Sequence, residues 1–227
     1  MKGRISLLII LTLTACSLPV DQAPLPTTLP TDTPQTALTF TPAFTAIPTL
    51  TAAPATTAAT PPPAFCNDPR AAELIRQLTT AFASKDGALL SSLVSPTQGM
   101  DVMFYRDGKT INYDVEHAKF VFETTFEADW GLSFGSGEPT LGSFQEVVLP
   151  SLQKVFKPDA QLVCSQLKVG GATYVPEWPY PYLDYYSVHF PGTDEFGGLN
   201  WETWGVGMED VNGRLYATAL VHYVWEP

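Results

Sequence analysis

Apolar positions along the chain follow two periods, one helical and one of two residues. Leu74, Ile75, Leu78, Ala81 and Phe82 recur at helical spacing and predict an amphipathic helix. Asp68 is suited to be its N-cap and Pro69 its first helical residue. Gly87 ends that pattern, and residues 88–94 predict a short second helix stopped by Ser95-Pro96. Asp107-Gly108 lies between Val102-Met103-Phe104-Tyr105 and Thr110-Ile111-Asn112-Tyr113 and signals a hairpin. Residues 115–126 read as helical. Ser143-Phe144-Gln145-Glu146 is a capping-box pattern, and Pro150 must kink or split the helix it opens.

From residue 183 the period becomes two, in the runs 183–190, 201–209 and 214–225. Asn212-Gly213 between the last two is the strongest hairpin signal in the chain. A two-residue turn there sets Val211 opposite Arg214. Carried on without a shift, that register gives one face Leu215, Ala217, Ala219, Val221, Tyr223 and Trp225, opposite Asp210, Met208, Val206, Trp204, Glu202 and Asn200. His222 then falls on the other face. Helices followed by antiparallel strands predict an α+β fold: N-terminal helices packed on a curved antiparallel sheet that ends in a three-stranded meander.

The first third of the chain belongs to no such pattern. Between residues 17 and 64, 34 of 48 positions are Pro, Thr or Ala, and Asp21 and Asp32 are the only charges. Such a stretch cannot build a core; extended at about 3.1 Å per residue it reaches on the order of 150 Å. Residues 65–227 hold all five Trp, all nine Tyr and all three His, and form one domain of ordinary length. They also keep 10 of the 12 basic and 21 of the 23 acidic residues, so the domain itself carries the net charge of −11. Phosphate backbones repel such a surface, and nucleic acid is excluded as a partner.

Residues 1–15 read as a signal peptide: Lys2 and Arg4 precede a short apolar run over 5–13, shorter than a membrane span needs. Leu13-Thr14-Ala15-Cys16 resembles the lipobox of bacterial lipoproteins. That resemblance implies cleavage before Cys16, acylation of its sulfur by palmitate-like chains, and a lipid bilayer as partner. It implies a place in the cell envelope, on the outer face of the cytoplasmic membrane or on the outer membrane. The expected organisation is a signal peptide over 1–15, lipidated Cys16 with a linker over 16–64, and one α+β domain over 65–227. Cys66 and Cys164 remain as an even pair in an exported, oxidising compartment, which predicts a disulfide.

Candidate chemistry in the domain is sparse. Gly131-Leu132-Ser133-Phe134-Gly135 matches the nucleophile elbow of hydrolases, but Gly137 and Pro139 follow where a helix should begin. His117, His189 and His222 are too dispersed to suggest a metal, and no cofactor motif occurs. Glu177-Trp178-Pro179-Tyr180-Pro181-Tyr182 reads either as Pro and aromatic residues covering a sheet edge or as a platform for sugars. The register above places Glu202 among apolar neighbours. Glu202, Trp204, Tyr223 and Trp225 are therefore the candidate pocket, for a small apolar or glycan ligand.

Trp130-Gly131, Gly135-Ser136-Gly137-Glu138-Pro139, Val188-His189-Phe190-Pro191-Gly192, Asn200-Trp201 and Val221-His222-Tyr223-Val224-Trp225 resemble a group of exported bacterial lipoprotein domains, over roughly residues 88–227. That group implies no site residues. The order of elements is also similar to the nuclear-transport-factor-like cone, which implies a curved sheet wrapped on helices and a pocket used for binding or for small general-base catalysis. The expected function is a membrane-tethered, non-catalytic binding or envelope-interaction domain. The alternative is a small pocket enzyme with a carboxylate or His as base.

Overall fold

The computed structural model describes residues 64–227. The signal peptide, Cys16 and all of the linker but residue 64 lie outside the described residues. The elements are α1 (Pro69–Ser84), α2 (Gly87–Leu93), β1 (Met100–Met103), β2 (Thr110–Tyr113), α3 (Val115–Phe120), β3 (Ala128–Leu132), β4 (Pro139–Gly142), α4 (Phe144–Val147), α5 (Leu149–Val155), β5 (Gln161–Cys164), β6 (Asp184–Phe190), β7 (Glu202–Val211) and β8 (Arg214–Val224). Six strands form one curved, unclosed sheet in the order β2-β1-β8-β7-β6-β5, and β3 and β4 form a separate hairpin. The meander β6–β7–β8 is antiparallel as expected. The β1–β8 pair is parallel, because β1 is reached from the helices and not from a hairpin with β8.

Local chemistry explains the helix ends. Asp68 accepts from the Arg70 amide at 2.9 Å and caps α1. The Arg70 guanidinium continues to Asp210 (2.6 Å) and to the Gly213 carbonyl (2.7 Å), tying α1 to the β7–β8 turn. Ser143 and Glu146 form the full capping box of α4, and α5 begins next to Pro150. The helix expected over 115–126 stops at Phe120. Thr124 and Thr125 follow, and the Thr124 hydroxyl takes the Phe126 amide at 3.2 Å, a local bond that competes with helix.

The two faces of the sheet are covered differently. Leu74, Ile75, Leu78 and Phe82 of α1, Leu90 and Leu93 of α2, and Leu149, Leu152 and Val155 of α5 pack on Val188, Trp204, Val206, Met208, Leu215, Ala217 and Leu220. The opposite face carries Met103, Val221 and Tyr223, with Trp201 just before β7, and residues 165–182 lie over it without regular structure. The inner side of an irregular segment needs partners for its carbonyls, and side chains of this face supply several of them. Ser187 donates to Gln166 O (2.5 Å), Thr203 to Lys168 O (2.5 Å), Trp201 Nε1 to Gly171 O (3.1 Å) and Tyr223 to Glu177 O (2.7 Å). The Trp178 ring stacks on Tyr185 at 4.4 Å. It lies so close to the strand that a Cβ on Gly205 would come within 2.6 Å of it. The aromatic segment 177–182 is thus the sheet's cover, with Tyr182 alone of its aromatic rings exposed.

The β7–β8 register begins as expected, with Val211 opposite Arg214 and Met208 opposite Ala217, and then shifts by one. Gly207 pairs with Ala219, so Thr218 is the extra residue of a β-bulge. Beyond the bulge every β8 side chain changes face relative to the unshifted register. Leu220, His222 and Val224 join Val206, Trp204 and Glu202 on the helix side, and Ala219, Val221 and Tyr223 turn to the cover. The face assignment of residues 219–225 above is corrected accordingly. The shift leaves Leu215, Ala217 and Leu220 in the helix-side core, brings His222 beside Trp204, and gives Val221 and Tyr223 to the cover.

The disulfide joins Cys66, just before α1, to Cys164 at the end of β5, with Cα atoms 5.6 Å apart and the two residues 98 positions apart in sequence. Closing so long a loop removes much entropy from the unfolded chain. Replacing both cysteines by Ala should lower unfolding stability by about 3 kcal/mol, read from the urea midpoint. At the bulge, Thr218 is buried and its hydroxyl has no hydrogen-bond partner among the described residues. Thr218→Val keeps the shape and removes the unsatisfied group, and should stabilise the domain by about 1 kcal/mol in the same assay.

Candidate functional site

Glu202 and Trp204 sit side by side on the helix face, as expected. Tyr223 lies on the opposite face, its hydroxyl on Glu177 O, and Trp225 follows the end of β8 with 38% of its surface exposed. The four residues therefore do not line one cavity. Where a pocket was expected, Trp204 is fully buried, and the layer between helices and sheet is filled by apolar side chains.

What gathers at Glu202 instead is a set of polar groups from two other elements, α5 and β8. Ser151 of α5 donates to Glu202 Oε2, and its oxygen accepts from Trp204 Nε1 at 2.9 Å. Lys154, one turn further along α5, donates to Glu202 Oε1 at 2.6 Å and to Asn200 O at 3.0 Å. His222 of β8 donates from Nδ1 to Phe104 O at 3.1 Å, and its Nε2 meets Ser151 Oγ at 3.0 Å and Glu202 Oε2 at 3.2 Å. The His222 ring stacks on the Trp204 ring at 4.5 Å. Burial by itself would raise the Glu202 carboxyl, but the His222 ring, the Lys154 ammonium and the Ser151 hydroxyl outweigh it and hold the group down at about 2.

Ser, His and a carboxylate in contact invite comparison with a nucleophilic triad. There the imidazole takes the serine proton at one nitrogen while the carboxylate holds the other. Here the carboxylate and the serine share one nitrogen, and the second is occupied by a backbone carbonyl. Ser151 gives its proton to Glu202 and is itself the acceptor for Trp204. Each polar group in the hub has its partner inside the protein, which is the arrangement of a structural clamp between α5 and the sheet. Ser151 and Lys154 were not singled out from the sequence; their three-residue spacing on a helix is the signal that pairs them. His222 was noticed but set on the wrong face by the missing bulge.

The other motifs resolve simply. Ser133 stands at the tip of the β3–β4 hairpin, where its amide donates to Glu138 O at 2.9 Å, so the elbow-like pattern is a turn. His117 is exposed on α3, bonded to Asp114 at 2.8 Å. Among the described residues no group of His, Cys, Asp or Glu is arranged to hold a metal ion. Open space lies elsewhere. A cleft of about 680 Å³ runs between the end of α5 and the ends of β5 and β6, lined by Lys154, Lys157, Asp159, Gln161, His189 and Phe190 among others. A smaller groove of about 330 Å³ lies beside α3, with the exposed Phe120 and Phe126 on its wall.

Compared with protein-family models, curated proteins and solved structures, the chain matches none.

A carboxylate whose folded-state pKa is depressed stabilises the fold above its unfolded value, and that stability is lost as pH falls through the folded one. For Glu202 the window runs from the ordinary 4.5 down to about 2. Glu202→Gln should cost about 2 kcal/mol at pH 7, because Lys154 loses its counter-charge. Its unfolding midpoint should then fall less steeply than the wild type's across that acid window, in denaturant titrations at successive pH values.

Proposed function

We propose that this chain is a membrane-tethered lipoprotein that presents one disulfide-stapled α+β domain at the cell envelope, where the domain binds its ligand without transforming it. The observation that carries this reading is the position of the Cys66–Cys164 bond. Cys66 follows directly on the Pro/Thr/Ala-rich segment, so a covalent link to β5 secures the domain at the point where the linker joins it. Such a bond suits an exported protein in an oxidising compartment. Tyr186 reinforces the same spot by donating to Cys66 O at 3.1 Å. Acylation at Cys16 supplies the membrane attachment; two or more acyl chains hold stably where one is marginal. Among the described residues no helix is long and apolar enough to cross a membrane. The self-satisfied hub around Glu202 supports binding over general-base catalysis, since neither Ser151 nor the carboxylate has an atom free for a substrate proton.

Cys16→Ser should move the protein from the detergent-requiring membrane fraction to the soluble fraction, with the domain's unfolding midpoint unchanged. A Cys16→Ser protein that stays with the membrane overturns the anchoring. Alkylation of protein taken directly from its envelope should leave Cys66 and Cys164 unlabelled until a reductant is added.

A further inference from the structure

The groove beside α3 is a place where this domain keeps large apolar side chains in water. α3 ends at Phe120, and Val121 and Phe122 then turn inward to the core, where the Phe122 ring meets Phe144 at 5.9 Å. Phe120 and Phe126, on either side of that inward turn, stay 50% and 68% exposed. Together with Tyr113 at the end of β2 they are the aromatic walls of a groove of about 330 Å³, completed by Glu116, His117 and Thr124. Rings left outside forgo burial that would stabilise the fold, and a cluster of them on a monomer marks a contact site. The volume suits the smaller small-molecule sites.

Charge selects the occupant. Residues 113–127 carry Asp114, Glu116, Glu123 and Glu127 against Lys119 alone. Asp114 is bonded to His117 at 2.8 Å, whereas the Glu116 carboxylate, on the groove wall, has no ion-pair partner among the described residues. The Lys119 ammonium lies 5.5 Å from the centre of the Phe120 ring, so that ring already draws a cation. An anion would meet the carboxylates, and an uncharged apolar guest would cover Glu116 without answering its charge. A metal ion needs several oxygen ligands, and no group of residues here is arranged to supply them. A quaternary ammonium spreads its charge over methyl groups and is weakly hydrated. Its methyls can rest on the rings while ring faces and Glu116 answer the charge.

We propose that the groove beside α3 binds a small quaternary ammonium compound of the choline class, with the trimethylammonium group among Phe120, Phe126 and Tyr113 and its charge answered by Glu116. The inference rests on the reading that the domain binds a ligand, and specifies where and of what class. No residue of the Glu202 hub takes part.

The test uses the full chain in maltoside micelles. Choline and tetramethylammonium are titrated at millimolar concentration beside 3,3-dimethylbutanol, the uncharged carbon isostere of choline. NMR of ring-labelled phenylalanine reads Phe120 and Phe126, and saturation transfer from the protein reads binding anywhere. The expected result is a saturable shift of both rings with either cation, and binding of the isostere about tenfold weaker. Glu116→Gln and Phe126→Leu, both at exposed positions, should each weaken choline binding about threefold without moving the unfolding midpoint. Lys119→Ala, which removes the resident cation, should strengthen it. An isostere that binds as well as choline makes the groove merely apolar and overturns the assignment. A Cys16→Ser chain that sediments with phosphatidylcholine vesicles, its rings unmoved by free choline, makes the occupant a lipid surface and overturns the small-molecule site. Saturation transfer to choline with unmoved rings overturns this groove and leaves the domain a ligand binder. Native mass spectrometry of the chain taken from its envelope separates the remaining cases. A co-purified adduct with no response to choline overturns the groove alone, and a bare mass with no response overturns the groove and the binding reading together.

Discussion

A carboxylate taken out of water must be met by enough donors to replace its hydration, and meeting Glu202 decides where four parts of this domain sit. Ser151 and Lys154 bring α5 against the sheet, His222 brings the far half of β8 level with β7, and the His222 bond to Phe104 O draws in the segment after β1. Lys154 also reaches Asn200 O and so holds the segment that leads into β7. The apolar layer of α1, α2 and α5 supplies most of the burial, but apolar contacts are non-directional. The hub gives α5 a unique position along the strands. Breaking it by removing one partner leaves a charge unmatched in a place that water reaches poorly.

The second constraint is that the sheet is buried on both faces by unlike material. Helices satisfy their own backbone and ask of the sheet only an apolar surface. The segment 165–182 has no such internal ladder, and so the face beneath it is built from Ser187, Thr203, Trp201 and Tyr223, whose polar ends reach its carbonyls. Glycine at 205 lets the Trp178 ring come down onto the strand. The disulfide then fixes the start of this cover and the start of α1 to each other, so both layers are anchored at the edge strand β5. Most of the acidic charge stays on the outside, and Arg70, Arg76 and Arg106 are held in ion pairs with Asp68, Glu73, Asp107, Asp210 and Glu226, the last of which is buried.

Much of the fold was legible in the sequence wherever one local rule acted alone. The Asp68 cap, the Ser143–Glu146 box, the break at Pro150 and the turn at Asn212-Gly213 all came out as read, because each depends on residues a few positions apart. So did the Cys66–Cys164 bond, read from the even pair of cysteines left once Cys16 is set aside. The hairpin β3–β4 and the strand β5 were not read, since Gly131, Gly135, Gly137 and Pro139 hide the alternation of the first and residues 161–164 are too short to show a period. The candidate pocket was half legible: Glu202 and Trp204 share a face, and Tyr223 does not.

By itself, then, the sequence determined the class of the fold, its principal helices, the β7–β8 turn and the partners of the disulfide, all of which follow from nearest-neighbour chemistry or from composition. Tertiary structure decided the bulge at Thr218, and with it which face carries His222 and which carries Tyr223. A period of two holds within a strand, but one extra residue reverses it, and no local signal marks the place. Whether Glu202 would open into a cavity or be closed by Ser151, Lys154 and His222 depended on that one-residue shift and on α5 arriving from fifty residues away. Those are questions of packing across the sheet, answered only when both faces are covered.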